Sequence, residues 1–280
     1  MCGFYELDCV IPFLVVVGDT EGNGVMKEFL TFFRYQNKAG KLYKWMLLIA
    51  LTAFSFTCAY IRTFFNEYYV GLCAKDMLVF FSRDGIILAM TGGISTIRGL
   101  LFTYVDDNPN VIVRYNSKMK VFVYQSMSLL IITLIDMVVL YAVGIISAYI
   151  ILGVYDNWHI DGSLFYNTVT RKGFSADIGV YEAVMYIMFI LRKTVIVWCA
   201  GIISLLVEYI TDWIRVAILA TVFIYGVSIT THFSISRLDL RILDIYNMPK
   251  TVMYTALIAL AGILFVIAGT VLSRRRQYYR

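Results

Sequence analysis

The chain has 280 residues, of which 60% are hydrophobic and 15% are charged, and its mean hydropathy is +0.75. Soluble globular proteins average about 45–50% apolar and about 25% charged residues. The composition therefore argues against a soluble enzyme, and it also excludes an intrinsically disordered chain. The net charge of +5 fits the excess of Lys and Arg in cytoplasmic loops of membrane proteins better than nucleic-acid binding. We expect an all-α, polytopic membrane protein.

The first 25 residues are typical of neither a signal peptide nor a membrane span. Their apolar run ends at Gly18, contains Pro12, and has no basic segment before it. It is also too short to cross a bilayer, and a turn-rich stretch follows it. We interpret residues 1–25 as an extension from a misplaced start codon, with Met26 as the natural start.

Residues 26–44 are expected to form a basic amphipathic helix. Four apolar residues recur at the spacing of one helical face: Met26, Phe29, Leu30 and Phe33. Basic residues occupy other positions, and Gly40 is a typical C-terminal cap. Such a helix prefers to lie in the membrane interface. A solvated cytosolic helix is the alternative.

Residues 45–280 are expected to form one transmembrane domain of six spans. The spans cover about residues 45–63, 77–105, 121–153, 185–212, 213–231 and 252–272. In the second span, either residues 77–84 lie at the surface or the helix is long and broken. The third is about 50 Å long, which exceeds the roughly 30 Å hydrocarbon core, so it tilts or projects. Its one acid, Asp136, is costly at that depth unless it faces protein or water.

The distribution of Lys and Arg predicts that both termini are cytoplasmic. Five basic residues lie within residues 27–44, and four lie in the C-terminal tail. Cytoplasmic segments carry the excess of such residues, and an even number of spans places both ends on one side. Arg192 and Lys193 are expected at the opposite interface.

The predicted cytoplasmic loop at 106–120 is longer than the usual 2–8 residues between two antiparallel helices. It carries its own helix signals, because Asn108 is a good N-cap and Pro109 suits the first helical position. We expect a short helix that docks on a soluble partner, and a helix lying flat on the membrane is the alternative. The docking residues are Asn108, Pro109, Asn110, Val111, Ile112, Val113, Arg114 and Tyr115.

Polar residues within the predicted spans are candidates for lining a transport pathway. They are Ser95, Thr96, Arg98, Thr221, Tyr225 and Ser228. The alternative for half or more of them is hydrogen bonding between helices. Arg98 is the strongest candidate for a functional role, and its alternative position is near the inner headgroups, where it would bind phosphate.

The sequence lacks the motifs of several kinds of chemistry. It has neither a G-x-x-x-x-G-K-[ST] phosphate loop nor a G-x-S-x-G nucleophile motif. The two histidines, His159 and His232, lie far apart without a metal-binding motif, and the five cysteines are widely spaced. We therefore expect no catalytic residue, no metal and no cofactor in this chain.

The order of these elements resembles the six-span permease subunits of ABC exporters, in the type-two permease family. An amphipathic helix precedes two spans, and a capped cytoplasmic helix precedes four more spans and a basic tail. The stretch from Asp107 to Lys118 is similar to that family's proline-containing coupling region. In size and composition the chain resembles small Gram-positive permeases that export peptides such as bacteriocins or phenol-soluble modulins.

The resemblance implies a role for each segment. Residues 26–44 would be the elbow helix, and residues 108–116 would be the coupling helix that docks on a separate ABC ATPase subunit. That subunit would bind ATP and Mg²⁺, so this chain would not be an enzyme. Residues 233–248 would close the outer end of the pathway.

The resemblance also implies partners and a location. A second permease copy or a paralogue would face this chain, a peptide or amphiphile would be the substrate, and the bacterial plasma membrane would hold both termini on its cytoplasmic side. Two alternatives stay open. One is an ion-coupled secondary transporter, with Asp136, Arg98 and Glu208 as candidate functional charges. The other is a membrane enzyme or a non-transporting membrane subunit.

Overall fold

The computed structural model describes residues 22–40, 42–65, 71–106, 118–174, 182–230 and 238–276. Every regular element within these ranges is helical, and they contain no β-strand. The all-α class expected from the sequence is confirmed. The helices are α1 (Gly22–Gly40), α2 (Leu42–Phe64), α3 (Asp76–Arg83), α4 (Gly85–Asp106), α5 (Lys118–Leu152), α6 (Leu164–Thr170), α7 (Glu182–Thr211), α8 (Ile214–Thr230) and α9 (Met248–Arg276), with a 3₁₀ helix at Ile242–Asn247.

Four helices among the described residues are long and apolar enough to cross a membrane, namely α2, α5, α7 and α9. A fifth crossing arises if α3 and α4 are taken together as one span that bends by 75°. The apolar part of α8, Ile214–Val227, is shorter than the other crossings. Four or five helical crossings are typical of a multi-pass membrane protein.

The second predicted span is broken at Asp84. Met77, Leu78 and Phe81 of α3 have no exposed surface, and α3 meets α4 at an angle of 75°, which is the geometry of a broken span or of a re-entrant loop. Asp84 has extended backbone, and its Oδ1 accepts a hydrogen bond from the Ile86 amide at 2.6 Å. A carboxylate in this position caps the start of α4, which explains why a new helix begins directly after the bend.

The centre of the bundle is formed by α5 and α7, with α4 beside both. The contact is close because Leu129 of α5 lies between two glycines. A Cβ added to Gly99 of α4 or to Gly201 of α7 would come within 2.7 Å of the Leu129 side chain. Small residues let membrane helices approach in this way. The remaining long helices pack outside this group: α2 on α5, α8 on α4 and α7, and α9 on α7 and α5.

The amphipathic helix α1 packs beside the beginning of α5. Phe29 and Phe32 are buried against Val121 and Tyr124. The packed face therefore contains Phe29 and Phe32, whereas Met26 and Leu30 of the predicted apolar face are 46% and 44% exposed. The helix ends at Gly40, and α2 begins at Leu42 rather than near residue 45.

Two hydrogen bonds between α1 and α5 show how the two helices lie against each other. Glu28 accepts a hydrogen bond from the Tyr124 hydroxyl at 3.1 Å, and Gln36 accepts one from the Ser128 hydroxyl at 2.5 Å. Gln36 is buried, with 2% of its surface exposed. The two contacts lie about 12 Å apart along α1 and about 6 Å apart along α5, so α1 is inclined to α5, and Gln36 near its end is held inside the bundle.

Residues 71–76 and 153–174 cover one end of the bundle, and we call these two segments the cap. The Ala74 amide donates to the Val154 carbonyl at 3.0 Å, and the Lys75 amide donates to the Tyr155 carbonyl at 3.2 Å. Trp158 stacks on Phe165 of α6 with ring centroids 4.2 Å apart. Backbone pairing and stacking thus give the loop after α5 a defined structure.

The segment before α9 folds back against the side of α7. Arg192 lies ten residues after the first residue of α7, which is about 15 Å along the helix. Its Nε donates to the Leu238 carbonyl at 2.6 Å, and its Nη1 lies 3.5 Å from the carbonyl oxygen of Thr251 in α9. α9 therefore begins about two to three turns below the Glu182 end of α7.

Candidate functional site

A fully buried ion pair joins α4 to α5. Arg98 Nη2 lies 2.9 Å from Asp136 Oδ2, and Arg98 Nη1 lies 3.2 Å from Asp136 Oδ1. Two such bonds form the bidentate geometry that suits a guanidinium and a carboxylate. Ser95, three residues before Arg98, donates to Asp136 Oδ2 at 2.5 Å. Neither charged side chain has any exposed surface.

The pair lies near the midpoint of α5. Asp136 is about 27 Å from Lys118 and about 24 Å from Leu152 along the helix axis. A lone charge at such a depth is costly, whereas a charge that is paired and hydrogen-bonded is tolerated. Asp136 faces protein, as its depth predicts. Because Arg98 is engaged by Asp136 and wholly buried, its alternative position among the inner headgroups is wrong.

Two further polar contacts connect α8 to its neighbours. The hydroxyls of Thr96 in α4 and Tyr225 in α8 lie 3.1 Å apart, and Thr221 of α8 donates to Ser204 of α7 at 2.9 Å. The Tyr225 ring packs directly on Gly92, because a Cβ at that position would lie 2.7 Å from the ring and would clash with it. These contacts fix the position of α8, whose other face carries exposed apolar side chains.

The structure thus brings five of the six pathway candidates to the contacts of α4 with α5 and of α8 with α4 and α7. Ser95, Thr96, Arg98, Thr221 and Tyr225 are each at most 3% exposed and hydrogen-bonded to another helix. Hydrogen bonding between helices is therefore their role in this arrangement. The side chain of Ser228 in α8 and the docking residues Asn108 to Tyr115 lie outside the described residues.

A cavity of about 10 Å³ lies one turn from the ion pair. Gly99 and Ile132, which neighbour Arg98 and Asp136 along their helices, line one side of it, and Gln36, Gln125 and Ser128 contribute polar groups. This is roughly the space that one buried water molecule needs. The polar centre of the bundle therefore extends from Asp136 toward α1.

A second buried ion pair was not predicted from the sequence. Lys193 Nζ lies 2.7 Å from Asp239 Oδ2, and both side chains are at most 1% exposed. Lys193 also donates to the Phe81 carbonyl of α3. The side chain of Lys193, which the sequence places at a membrane interface, is surrounded by protein. A lysine inside a predicted span is itself a signal that a buried partner exists.

A third group of charges stabilises the cap. Lys75 Nζ pairs with Asp156, and it lies 2.6 Å from Glu182 at the start of α7. Burial alone would lower the pKa of Lys75, but the bonds to these two carboxylates outweigh it and raise the pKa. Burial alone would raise the pKa of Asp156, but the Lys75 ammonium and the Trp158 amide hold it below its usual value.

Histidine and cysteine residues do not converge in the part of the chain that the structure describes. There, no group of three or more His, Cys, Asp or Glu residues has the geometry to hold a metal ion. His159 is exposed in the cap, and His232 lies outside the described residues. Cys73 and Cys199 are buried and Cys58 is half-buried, which is typical of cysteines that pack as small apolar residues.

No family model matches the chain, and neither curated proteins nor solved structures gave a match. Membership of the exporter family therefore stays a prediction from the sequence.

Proposed function

We propose that this chain is the permease subunit of an ATP-driven ABC exporter that moves a peptide or amphiphile across the bacterial plasma membrane. The observation that carries the proposal is the order of the helices. The amphipathic α1 precedes α2, the bent α3–α4 pair and a loop with helix-capping signals. Then α5, α7 and α8 follow, and a folded-back segment precedes α9 and the basic tail.

The proposal includes six crossings, of which α8 would be the fifth. α8 is about 25 Å long, slightly less than the roughly 30 Å hydrocarbon core. Its outer face carries Leu219 and Phe223, which are 67% and 71% exposed, and such side chains suit contact with lipid. With α8 counted as a span and α3–α4 as one, both termini are on the same side, in agreement with the basic segments at both ends.

ATP would be hydrolysed on a separate ATPase subunit, bound through the loop between α4 and α5. This loop joins the same two helices that Arg98 and Asp136 hold together. A displacement of the loop would therefore move α4 and α5 as one rigid body, since breaking their buried ion pair is costly. Rigid-body motion of packed helices is a common route from a docking site to a transport pathway.

Replacing Val111, Ile112 and Val113 together with Asp tests the docking role. The expected result is that the purified variant keeps its thermal stability and loses the copurifying ATPase. The matched control places Asp at Val154 and Ile160, which are exposed apolar residues of the cap. This control should keep the ATPase. A triple variant that retains the ATPase at the parent stoichiometry contradicts the docking role.

A second candidate function is an ion-coupled secondary transporter, which the carboxylate of Asp136 at mid-helix favours. Buried acids in membrane segments commonly belong to ion or proton pathways. Purified protein in liposomes, energised only by an ion gradient, would transport substrate if this candidate is correct. Substitution of Asp136→Asn would then abolish the gradient dependence, whereas an exporter would show no gradient-driven transport in either form.

A further inference from the structure

We infer that Lys193 is a latch that holds the segment before α9 against the bundle, and that this latch opens and closes as a two-state device. The segment is residues 238–247, and the 3₁₀ helix Ile242–Asn247 forms its second half. The latch itself is independent of the proposed function, and only its coupling to a transport cycle rests on that function.

The Lys193 ammonium connects three elements at one point. It lies on α7, pairs with Asp239 of the segment at 2.7 Å, and donates to the Phe81 carbonyl of α3. An ammonium has three donors, so one side chain satisfies both partners at once. The segment 238–247 and the bent α3–α4 pair are thus both bound by the Lys193 Nζ atom.

The Phe81 carbonyl needs this donor because α3 ends two residues later. The last four carbonyls of a helix have no intrahelical amide to accept from, and they form the negative end of the helix dipole. A cation therefore suits this position. Movement of Lys193 would remove this donor from the Phe81 carbonyl and leave Asp239 with only the Leu240 amide, which donates to its Oδ1 at 2.9 Å. Both ammonium contacts are therefore lost together.

A buried donor beside the latch lacks a partner. The Tyr141 hydroxyl has no hydrogen-bond partner among the described residues, and Lys193 Nζ lies 5.9 Å from the centre of the Tyr141 ring. Native proteins rarely leave buried hydroxyls unpaired. We assign this hydroxyl to the open state, in which it would donate to Asp239 once Lys193 has withdrawn.

Arg192, which precedes Lys193 in α7, binds the chain at both ends of the segment. Its guanidinium binds the main-chain carbonyl of Leu238 and approaches that of Thr251. These bonds do not involve an acidic side chain, so the ends of the segment stay attached when Asp239 is released. The part that moves would be the stretch between them, which includes the buried Leu240, 1% exposed.

The test measures the labelling of a cysteine at position 240 with a membrane-impermeant maleimide, followed by peptide mass spectrometry so that native cysteines can stay. In the Leu240→Cys protein, the labelling rate should be slow and should stop rising at high maleimide concentration, because opening limits it. Adding Asp239→Asn should increase the rate about tenfold. Adding Asp161→Asn, which removes an exposed acid of the cap, should leave it unchanged.

If Asp239→Asn does not fold, the double variant Lys193→Met with Asp239→Leu takes its place. The double variant removes both charges and therefore leaves no unpaired charge in the protein. It should also label about tenfold faster. A rate that is proportional to maleimide concentration and equal in the parent and in a folded latch variant would overturn the inference. If no ATPase copurifies but these rates behave as expected, the latch stands and the exporter function fails, so the two are distinguishable.

Discussion

Arg98 of α4 and Asp136 of α5 face each other through two parallel hydrogen bonds near the midpoint of α5, with no exposed surface on either side chain. Removing one partner leaves an uncompensated buried charge. We therefore expect Arg98→Met or Asp136→Leu alone to reduce the free energy of unfolding by about 3–5 kcal/mol. Thermal unfolding of the protein in detergent, with a soluble-fraction readout, measures this loss.

The double variant Arg98→Met with Asp136→Leu is the control for this pair. It replaces both charges with apolar groups, so its stability should lie within about 1–2 kcal/mol of the parent. If the double variant is as unstable as the single variants, the two side chains are not coupled to each other. Ser95→Ala, which removes only a hydrogen bond to the carboxylate, should cost about 1.5–3 kcal/mol.

Gly92 and Gly93 provide a matched pair for the contact between α4 and α8. A Cβ at Gly92 would lie 2.7 Å from the Tyr225 ring, whereas at Gly93 the nearest atom of that ring is 4.0 Å away. Gly92→Ala should therefore destabilise the protein by about 1–3 kcal/mol through overpacking, and Gly93→Ala should be close to neutral. Combining Gly92→Ala with Tyr225→Leu should recover part of the loss, and equal effects of the two alanines would refute this contact.

Gln36 anchors α1 inside the bundle. Gln36→Leu removes its hydrogen bond with Ser128 and leaves a buried hydroxyl unpaired, at a cost of about 1–3 kcal/mol. Hydrogen–deuterium exchange of residues 26–36 should then become faster. The control is Glu28→Gln on the same helix, because Glu28 is 49% exposed and its pair with Lys120 is 3.8 Å long. Unchanged exchange in the Gln36 variant would mean that Gln36 does not anchor α1.

The Lys75 group should give the cap a characteristic pH dependence. Asp156 has a lowered pKa, so its contribution to stability is complete above the ordinary value of 3.8 and is lost as pH falls below it. Lys75 has a raised pKa, so its contribution is complete below 10.5 and is lost as pH rises above that value. We expect the contribution of this pair to thermal stability, measured as the difference between the parent and Lys75→Met, to be nearly constant from about pH 5 to pH 10 and to fall on both sides.

Lys75→Met tests the origin of that profile. It should lower the melting temperature at pH 7 by roughly 3–6 °C, a shift typical of the loss of 1–2 kcal/mol. Since Asp156 then has no ammonium to lower its pKa, the further fall below pH 4 should become smaller. Lys172→Met, at an exposed lysine of the cap, is the control and should reproduce the parent profile. An equally steep acid fall in the Lys75 variant would contradict the role of this cluster.

The helices could largely be predicted from the sequence, because an apolar run in lipid must satisfy its backbone internally and a helix does so. The bend at Asp84 could be anticipated as one of two alternatives but not decided. At the bend, the Tyr60 hydroxyl of α2 donates a hydrogen bond to the Asp84 carboxylate. That contact depends on how α2 packs against the corner, which no local pattern encodes.

The polar contacts of the candidate site were predictable only in part. The sequence marks Asp136 as costly and Arg98 as a functional candidate, but their pairing depends on the register between two helices that are joined by a long loop. Lys193 and Asp239 are 46 residues apart in sequence, and the apolar neighbours of Lys193 made it look like the end of a span. The partner of a buried charge is fixed by tertiary packing, so sequence reasoning finds the charge more readily than the pair.

Copurification is the most direct test of the proposal that this chain works with a separate ATPase. The chain would be isolated from its native membrane in a gentle detergent, and the proteins that accompany it would be identified by mass spectrometry and quantified. The account predicts a stoichiometric soluble chain that contains a G-x-x-x-x-G-K-[ST] phosphate loop. A chain that purifies alone in several detergents, and that transports in liposomes under an ion gradient only, would contradict it.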